Sequence, residues 1–424
     1  MTGIAPAIGI VADDITGGAA IGAEIASMGH AVDVVRLSPA SQRPTPPHTV
    51  IVETGSRYLP PDESARRVQE AVAEMRRDGL PVLMKKIDST LKGNVATELA
   101  AFADSRPGPL LIAPACPEVG LALVGGRQIT RRGPGADVAD LLAASLSGRI
   151  HILDLETVRR GRDAVAGWLR QHAGSTVLAD SETQADLDEA AAGAAAAGVL
   201  SYAGTYGLGR ALAAAFLEPG AAAAQFSPPP VDRVLVLAGS ASDVTARQIR
   251  ELVLAGAEEI VVDIEAVLQG QIKPEARRAG LLASASEAKV IVVHTAPGLT
   301  QERVRRHCGQ HGWTERDLAL SLALPFAEAA RAAEGAAVYF IGGETTGAIA
   351  ELLGLQALTV HGECTPAVPW ATTSTPSPWP VLLTKPGAFG TDRALAEAAD
   401  LLLRHHPGQR RGPVHAGHIS PLPG

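Results

Sequence analysis

The chain has 424 residues, which is longer than a single hydrophobic core usually grows, so two domains are expected. Its composition is 46% hydrophobic and 3% aromatic, and its formal charge is −8 without a basic stripe, which argues for a globular protein and against nucleic acid as a partner. The three cysteines, Cys116, Cys308 and Cys364, are far apart and match neither metal-binding nor disulfide spacing, as expected in a reducing cytoplasm.

The sequence also argues against a membrane partner. No stretch approaches the ~18 uninterrupted apolar residues that a membrane-spanning helix needs. The amino terminus lacks a basic leading segment and reaches Asp13 and Asp14 before the apolar region of a signal peptide could be completed. We therefore expect a cytoplasmic location.

The first predicted strand-to-helix edge is rich in carboxylates. Residues 5–12 form a continuous apolar run, typical of a strand covered on both faces, and residues 16–28 have helical spacing. Asp13 and Asp14 lie between them, followed closely by two glycines that allow a ligand to approach. Asp14 or Thr16 could simply cap the helix, but two adjacent carboxylates exceed what a cap requires.

Arg57 lies at the end of another predicted strand. Residues 31–37 and 49–52 have the apolar character of strands, and the second of these runs into Arg57 before an amphipathic helix at 60–77. A guanidinium group suits a substrate carboxylate, although a surface arginine would give the same pattern.

The most informative stretch is Lys85 to Asn94, which reads Lys-Lys-Ile-Asp-Ser-Thr-Leu-Lys-Gly-Asn. An apolar run at 80–84 predicts a strand before it, and the spacing at 95–102 predicts a helix after it. The polar side chains thus follow the carboxyl end of a strand, where open α/β sheets bind ligands beside helix amino termini that favour anions.

The charges in this stretch favour a functional interpretation. A turn that only connects a strand to a helix does not need three charged side chains, and this one contains Lys86, Asp88 and Lys92. The alternative is that Lys85 and Lys92 are solvated while Asp88 or a neighbouring serine caps the helix.

Alternating elements fill the rest of the first half. They are predicted strands at 110–113 and 176–179, a turn at 124–127, a loop at 131–135 and a helix at 185–197. Residues 204–209, Gly-Thr-Tyr-Gly-Leu-Gly, loosely resemble a dinucleotide fingerprint. The third glycine and a partner acid are missing, so a glycine-assisted helix start is predicted instead.

Residues 218–231 are the best linker in the chain because they are rich in alanine and proline. This linker divides the chain into domains at 1–217 and 232–404. The tail at 405–424 mixes His, Arg, Gly and Pro without periodicity and is predicted to be disordered. We assign no metal-binding residues in the tail or elsewhere.

Strand–helix alternation resumes after the linker. The predicted strands are 233–238, 260–264, 290–294, 338–341 and a run ending at 385, and the predicted helices are 244–255, 313–333, one ending at 353 and one starting at 391. Three strand ends carry glycines with hydroxyl or basic side chains, at 239–242, 342–347 and 385–390. Glycine and hydroxyl residues at a helix start offer backbone N–H groups to a phosphate. The 342–347 loop lacks the Gly-Lys-Ser/Thr of a Walker A sequence.

Taken in this order, these edges resemble the four-carbon acid sugar kinase family, ATP-dependent kinases that act on threonate, erythronate and 3-oxo-tetronate. The resemblance covers nearly the whole chain. It rests on residues 12–17, 85–94, 124–127, 239–242, 342–347 and 385–390, of which Lys-Ile-Asp-Ser-Thr-Leu-Lys-Gly-Asn is the most specific. It implies an α/β fold with two domains, each a mostly parallel sheet flanked by helices, and an active site in the interdomain cleft.

The resemblance also implies roles for individual residues. The substrate pocket would be formed by Asp13, Asp14, Arg57, Lys86, Asp88 and Lys92. The nucleotide would be held by Ser240, Ser242, Gly342, Gly343, Glu344, Thr345, Lys385 and Gly387. Glu344-Thr345-Thr346 stands where Asp-Thr-Ser is common in the family, and Pro386 and Ala388 replace Ser and Asn, which leaves the exact substrate open.

The predicted mechanism is in-line phosphoryl transfer from ATP with Mg²⁺ bridging phosphate oxygens. The cations Arg57, Lys86 and Lys92 would neutralise the substrate carboxylate. Asp13 or Asp14 would orient the terminal hydroxyl and accept its proton, and Lys385 would reach a phosphate. The partners are thus a small sugar acid and ATP, and a homo-oligomer is left open.

Two rival hypotheses fit the same framework. A non-catalytic sensor could keep the pocket and bind nucleotide without producing ADP. An oxidoreductase could use a dinucleotide, although the incomplete fingerprint at 204–209 argues against this.

Overall fold

The computed structural model describes residues 7–37, 48–106, 108–131, 133–146, 150–218, 228–240, 242–295, 301–366, 368–374 and 377–404. The predicted tail at 405–424 and most of the predicted linker at 218–231 lie outside these residues. The division into domains at the linker therefore stays a prediction.

The first half of the chain is built around parallel strands. Its strands are β1 (Gly9–Ala12), β2 (Val32–Arg36), β3 (Thr49–Glu53), β4 (Val82–Lys86), β5 (Leu110–Ala113), β6 (Ala122–Val124), β7 (Arg127–Thr130), β8 (Gly133–Asp137), β9 (Ile150–Leu153), β10 (Thr176–Ala179) and β11 (Ser201–Gly204). Eight of them pair in the order β2-β3-β1-β4-β11-β5-β10-β9, all parallel. Continuous apolar runs such as β1 are buried along their length, as expected for strands covered on both faces.

Helices connect these strands. They are α1 (Ile15–Ser27), α2 (Pro61–Arg77), α3 (Val95–Ser105), α4 (Val138–Ala143), α5 (Leu155–Arg159), α6 (Arg162–Gln171), α7 (Gln184–Ala196) and α8 (Tyr206–Phe216). Their starts follow the capping rules: Asp14 caps α1, α2 begins with proline and two acidic residues, and Thr183 and Asp186 form a capping box on α7. Because all eight strands are parallel, their carboxyl ends meet at one edge of the sheet.

The strands β6, β7 and β8 form a separate antiparallel sheet. Gly125 and Gly126 make the turn between β6 and β7 with positive φ angles of 59° and 74°, which confirms the predicted turn. The predicted loop at 131–135 is wrong, because residues from Gly133 onward form β8. Pairing with β7 overrides the weak strand propensity of a Gly-Pro-Gly sequence.

The second half repeats the pattern. Its strands are β12 (Val234–Ala238), β13 (Glu258–Val262), β14 (Val290–Thr295), β15 (Ala337–Ile341), β16 (Ala357–Thr365), β17 (Val368–Thr373) and β18 (Val381–Lys385). Its helices are α9 (Asp243–Leu254), α10 (Ile264–Leu268), α11 (Ile272–Ala285), α12 (Gln301–His311), α13 (Glu315–Ala332), α14 (Gly343–Leu353) and α15 (Ala394–Arg404). The strands β13-β14-β12-β15-β18 are parallel, and β17 and β16 continue the sheet in antiparallel orientation.

The two halves share one sheet. Strand β16 pairs antiparallel with β2, with Ala357 opposite Val35 and Val360 opposite Val32, so fifteen of the described strands form a single sheet. Helix α1 packs over this junction, where a Cβ on Gly22 would lie 3.4 Å from Val360. The α/β architecture with mostly parallel strands and flanking helices is confirmed, and a β16–β17 hairpin that the sequence did not predict joins its two parts. Among the described residues, no helix is long and apolar enough to cross a bilayer.

Candidate active site

Strand ends from both halves line one cavity of about 470 Å³. The first half contributes Asp14, Thr16, Gly17, Ala20, Arg57, Lys86, Ile87, Asp88, Ser89, Thr90, Lys92, Cys116, Thr205 and Tyr206. The second half contributes Gly239, Ser240, Ser242, Gly342, Gly343, Glu344, Thr345, Pro386, Gly387, Ala388 and Phe389. The cleft that the sequence predicted is therefore present, with most of the predicted site residues on its walls.

A cluster of four buried charges lies at the base of the first-half wall. Arg57 Nη2 lies 2.7 Å from Asp13 Oδ2 and 3.2 Å from Asp14 Oδ1. Lys86 Nζ donates to Asp14 Oδ1 at 2.8 Å and to Asp13 Oδ1 at 3.3 Å. Three neighbouring strand ends of the parallel sheet, those of β1, β3 and β4, bring these residues together, and Lys86 lies 73 positions after Asp13 in the sequence.

The ion pairs keep all four groups charged. Burial acts to raise the pKa of Asp13 and Asp14, but Arg57 and Lys86 outweigh it, and the pKa of each carboxyl lies below its usual value. The same carboxylates raise the pKa of Lys86 above its usual value in spite of its burial. Arg57 and Lys86, two of the three cations predicted to meet a substrate carboxylate, are thus already paired within the protein.

The two aspartates have different surroundings. Asp14 faces the cavity and caps α1, because its carboxylate accepts hydrogen bonds from Gly17 N at 3.1 Å and Thr16 Oγ1 at 2.7 Å. Asp13 does not line this cavity, and its carboxylate contacts Arg57 and Lys86. The capping interpretation therefore holds for Asp14, which faces the cleft at the same time.

The end of the string at 85–94 fixes the segment that carries Arg57. Asn94 Nδ2 donates to the carbonyl oxygens of Ser56 at 3.1 Å, Arg57 at 3.4 Å and Leu59 at 2.8 Å. Gly93 has φ +82°, and an added Cβ would lie 2.6 Å from the Arg57 carbonyl oxygen. The absence of a side chain on Gly93 therefore allows the close approach, and the hydrogen bonds of Asn94 stabilise it. Sequence reasoning did not assign a role to Asn94, although it ends the most specific motif.

Asp88 shapes the turn inside the same string. Its Oδ2 accepts hydrogen bonds from the Thr90 backbone N–H at 3.0 Å, from the Thr90 hydroxyl and from the Lys92 backbone N–H at 3.2 Å. Its other oxygen lies 3.6 Å from Arg57 Nη1. Leu91 has φ +59°, the one positive value among the described non-glycine residues, so the turn is held in a strained conformation. Lys92 is exposed on the cavity wall.

Lys85 supports the cluster from below. Its Nζ is fully buried and lies 2.7 Å from Glu98 Oε2. The other Glu98 oxygen accepts hydrogen bonds from Ser56 Oγ at 2.5 Å and Ser64 Oγ at 2.8 Å. The interpretation of Lys85 as a solvated residue is therefore wrong, because the inward face of β4 places its side chain in a buried ion pair between strand and helix.

Glycines allow three loops of the second half to touch. A Cβ on Gly239 would lie 2.3 Å from Thr345 Oγ1, and one on Gly387 would lie 2.0 Å from Ser240 Oγ. Ser242 caps α9 by accepting a hydrogen bond from Val244 N. The loops place the amino termini of α9 and α14 on the cavity wall, where free N–H groups favour an anion.

Lys385 lies beneath this wall. Its side chain is fully buried, and its Nζ donates to the carbonyl oxygens of Pro386 at 2.9 Å, Gly387 at 3.4 Å and Phe389 at 3.0 Å. It does not line the cavity, unlike the other predicted nucleotide residues. Burial without a carboxylate partner lowers the pKa of Lys385 to about 7. The structure thus places this lysine under the loop, in contrast to the predicted reach to a phosphate.

The two walls also touch each other. Gly343 lies against Asp14, since an added Cβ would be 2.2 Å from Asp14 Oδ2. The Tyr58 hydroxyl donates a hydrogen bond to Glu344 Oε1. Sequence reasoning did not single out Tyr58, and its position next to Arg57 was the signal that could have found it.

Comparisons with known proteins agree with this architecture. The family model described as a sugar-binding N-terminal domain matches residues 8–212, and that of a nucleotide-binding C-terminal domain matches residues 235–395. A D-threonate kinase of Cupriavidus necator is 31% identical, over 92% of this chain and 96% of the relative. The chain belongs to the four-carbon acid sugar kinase family. Members of the four-carbon acid sugar kinase family are phosphotransferases, and both of the matched domains are present in this chain.

Other relatives in the four-carbon acid sugar kinase family match over a similar span. A 3-oxo-tetronate kinase of Methylobacterium radiotolerans is 28% identical, over 93% of this chain and 99% of the relative. A solved structure from Salmonella typhimurium LT2, provisionally called a tRNA synthase, has a TM-score of 0.74 at 21% identity, covering 93% of this chain and 98% of its own. The similarity shows that this chain and the Salmonella protein share the same fold.

Proposed function

We propose that this protein transfers the γ-phosphoryl group of ATP to the terminal hydroxyl of a four-carbon sugar acid such as threonate, erythronate or 3-oxo-tetronate. The observation that carries the proposal is a cavity with a wall of charged side chains on one side and glycine-bearing helix starts on the other. Its volume of about 470 Å³ lies within the range of small-molecule sites. The relatives, which are named threonate, 3-oxo-tetronate and erythronate kinases, support the same substrate class.

The second-half wall is suited to the triphosphate. The starts of α9 and α14 point free backbone N–H groups at the cavity, and the adjoining glycines let phosphate oxygens approach the backbone. Ser240, Ser242, Gly342 to Thr345 and Gly387 would contact the nucleotide.

The first-half wall is suited to the sugar acid. Lys92 is exposed on this wall and has no carboxylate partner among the ion pairs of the described residues, so it is available for the substrate carboxylate. Arg57 and Lys86 add positive charge behind it, and their pairing with Asp13 and Asp14 holds them in place. Asp88 orders the turn that carries Lys92.

Asp14 is the better candidate for the group that orients the reacting hydroxyl. It lines the cavity and lies against Gly343 at the start of α14, whereas Asp13 does not line this cavity and makes the shorter ion pair with Arg57. The low pKa of the Asp14 carboxyl means that it accepts a hydrogen bond from the hydroxyl in the ground state. Asp14 would accept the proton of the substrate hydroxyl late in the transfer step, because bond formation to phosphorus lowers the pKa of the attacking oxygen.

Magnesium fits this site as a companion of the nucleotide. The described residues contain no cluster of three or more metal-ligating side chains. Mg²⁺ in kinases is bound through one or two carboxylates together with phosphate oxygens, so a protein cage is not required. The carboxylates of Asp14 and Asp88 face the cavity and would hold it. When bound, the ion would neutralise charge on the phosphates.

An ADP-release assay over a panel of four- to six-carbon sugar acids tests the proposal. We expect ATP- and Mg²⁺-dependent turnover with at least one four-carbon acid, and a phosphorylated product modified at the terminal hydroxyl by NMR. Binding of acid and nucleotide without any ADP production would favour a sensor and contradict the proposal. A product phosphorylated at another oxygen would reject the assigned position.

A further inference from the structure

We infer that Tyr58 and Glu344 form a positioning pair that couples sugar-acid binding to nucleotide binding. This inference rests on the proposed function and assigns a role to two residues whose side chains meet across the cleft. Glu344 lies on the nucleotide wall of the cavity, and Tyr58 follows Arg57 and lines an adjoining cavity that Glu344 also lines. The hydroxyl of Tyr58 donates to a carboxylate oxygen of Glu344.

The tyrosine belongs to a firmly held segment of the acid wall. The neighbouring backbone accepts three hydrogen bonds from Asn94 and packs against Gly93. The guanidinium of Arg57, one residue earlier, contacts Asp13, Asp14 and Asp88. Any change that an acid causes in this ion cluster therefore reaches the Tyr58 backbone directly.

The glutamate belongs to the first turn of α14. It lies between Gly343, which contacts Asp14, and Thr345, which contacts Gly239. The carboxylate of Glu344 would repel a phosphate, so this residue would contact the nucleotide through its backbone N–H, and its side chain needs another explanation. A carboxylate in the first turn of a helix interacts favourably with the helix dipole. The Glu344 carboxylate also accepts a hydrogen bond from the Tyr58 hydroxyl on the opposite wall.

The pair is stable over the physiological pH range. Burial and the neighbouring Glu344 carboxylate raise the pKa of Tyr58 far above its usual value, so the hydroxyl keeps its proton. The far part of α14 is also tied to the acid half, because Arg36 Nη2 lies 3.7 Å from Glu351 Oε2. Helix α14 is thus attached to the acid half near both ends, and the Tyr58–Glu344 bond is the attachment next to the reacting groups.

The test is the affinity for the non-hydrolysable analogue AMP-PNP, measured with and without a saturating sugar acid that the wild-type enzyme turns over. In the wild type we expect the acid to tighten AMP-PNP binding by roughly fivefold or more. In Tyr58→Phe, Glu344→Gln and the double variant, this ratio should fall to within about twofold of one, and the double variant should add nothing to either single change. In Tyr58→Phe, the affinity for AMP-PNP alone should change little.

Tyr202→Phe is the matched control, because it removes a tyrosine hydroxyl that bonds to Val199 O away from the cavity. It should keep the wild-type ratio. Absence of coupling in the wild type, or full coupling in Tyr58→Phe, would overturn the inference. Thermal unfolding of each variant separates loss of coupling from loss of fold. A wild type that turns over no acid would instead contradict the proposed function.

Discussion

Asp13 and Asp14 are neighbours in sequence, yet the structure gives them different tasks. Asp14 faces the cavity and the start of α14, and Asp13 anchors the guanidinium of Arg57. The sequence could predict that this pair was functional because two carboxylates follow a buried strand. It could not choose between them, since Arg57 and Lys86 contact both carboxylates and only the folded structure shows that Asp14 is the one that faces the cavity.

Separate Asp14→Asn and Asp13→Asn variants distinguish the two roles. We expect Asp14→Asn to lower kcat on the order of 10²- to 10⁴-fold, because it removes the acceptor for the hydroxyl proton. Asp13→Asn should mainly raise the KM for the acid, because Arg57 loses its closest partner. Steady-state kinetics with the turned-over acid measures both. Normal turnover in both variants would mean that neither residue is the base.

Lys385 shows where local sequence misleads at this scale. A lysine next to Pro-Gly suggests a phosphate ligand, but the inward face of β18 places its amine under three backbone carbonyls. The sequence around Lys385 is compatible with a side chain that points into the cavity or with one that points under the loop. Only the folded structure shows which of these occurs. We therefore interpret Lys385 as a residue that positions the loop at 386–390.

The pH dependence of stability tests this interpretation. Burial lowers the pKa of Lys385 to about 7 from a usual value of 10.5, so between these values the unfolded chain binds more protons than the folded one. The free energy of unfolding should therefore rise with pH across this window. Lys385→Met should remove this lysine's share of the rise, as measured by urea unfolding at pH 7, 8 and 9. It should also raise the KM for ATP. An unchanged pH slope and KM would contradict the assignment.

At the scale of elements, the positions of the strands were predicted better than the pairing between strands. The runs at 110–113 and 176–179 match β5 and β10. The hairpin of β16 and β17 was not predicted, because register shifts near Gly362 and Glu363 interrupt its alternation. Its pairing with β2 joins segments more than 300 residues apart, and a local pattern carries no information about such a partner.

Two glycines, one before β4 and one after it, are predicted to differ in how well they tolerate alanine. Gly93 and Gly79 have φ values of +82° and +76°, but an added Cβ meets the Arg57 backbone at Gly93 and nothing within 4 Å at Gly79. Gly79→Ala should cost roughly 1–2 kcal/mol of stability from backbone strain alone. Gly93→Ala should cost more and raise the KM for the acid. Chemical denaturation and kinetics check this, and equal effects would show that Gly93 does not hold the Arg57 segment.

The start of α14 gives a second matched pair. A Cβ on Gly343 would lie 2.2 Å from Asp14 Oδ2, and one on Gly347 has no neighbour within 4 Å. Gly347→Ala should stabilise the protein by about 1 kcal/mol through helix propensity, with activity retained. Gly343→Ala should lower kcat/KM at least on the order of tenfold because it separates the two walls. Wild-type activity in Gly343→Ala would refute the close contact between them.

At the scale of the whole molecule, the sheet continues from one half to the other. The pairing of β16 with β2 and the packing of α1 over it fix the two sets of strand ends relative to each other. Length could predict two domains, the alternation of strands and helices with the family resemblance could predict their α/β fold, and parallel strands could predict a ligand-binding edge on each. The family resemblance predicted that the edges meet in one cleft, but the hairpin that joins the two parts of the sheet is known only from the structure.

The central claim is that one cavity holds a sugar acid against one wall and a triphosphate against the other. A crystal structure with AMP-PNP and the turned-over acid tests it most directly. We predict the acid carboxylate beside Lys92, the γ-phosphate at the start of α14, and the terminal hydroxyl oxygen roughly 3–3.5 Å from the γ-phosphorus. Either ligand bound outside this cavity, or the two separated with no route to contact, would contradict the account.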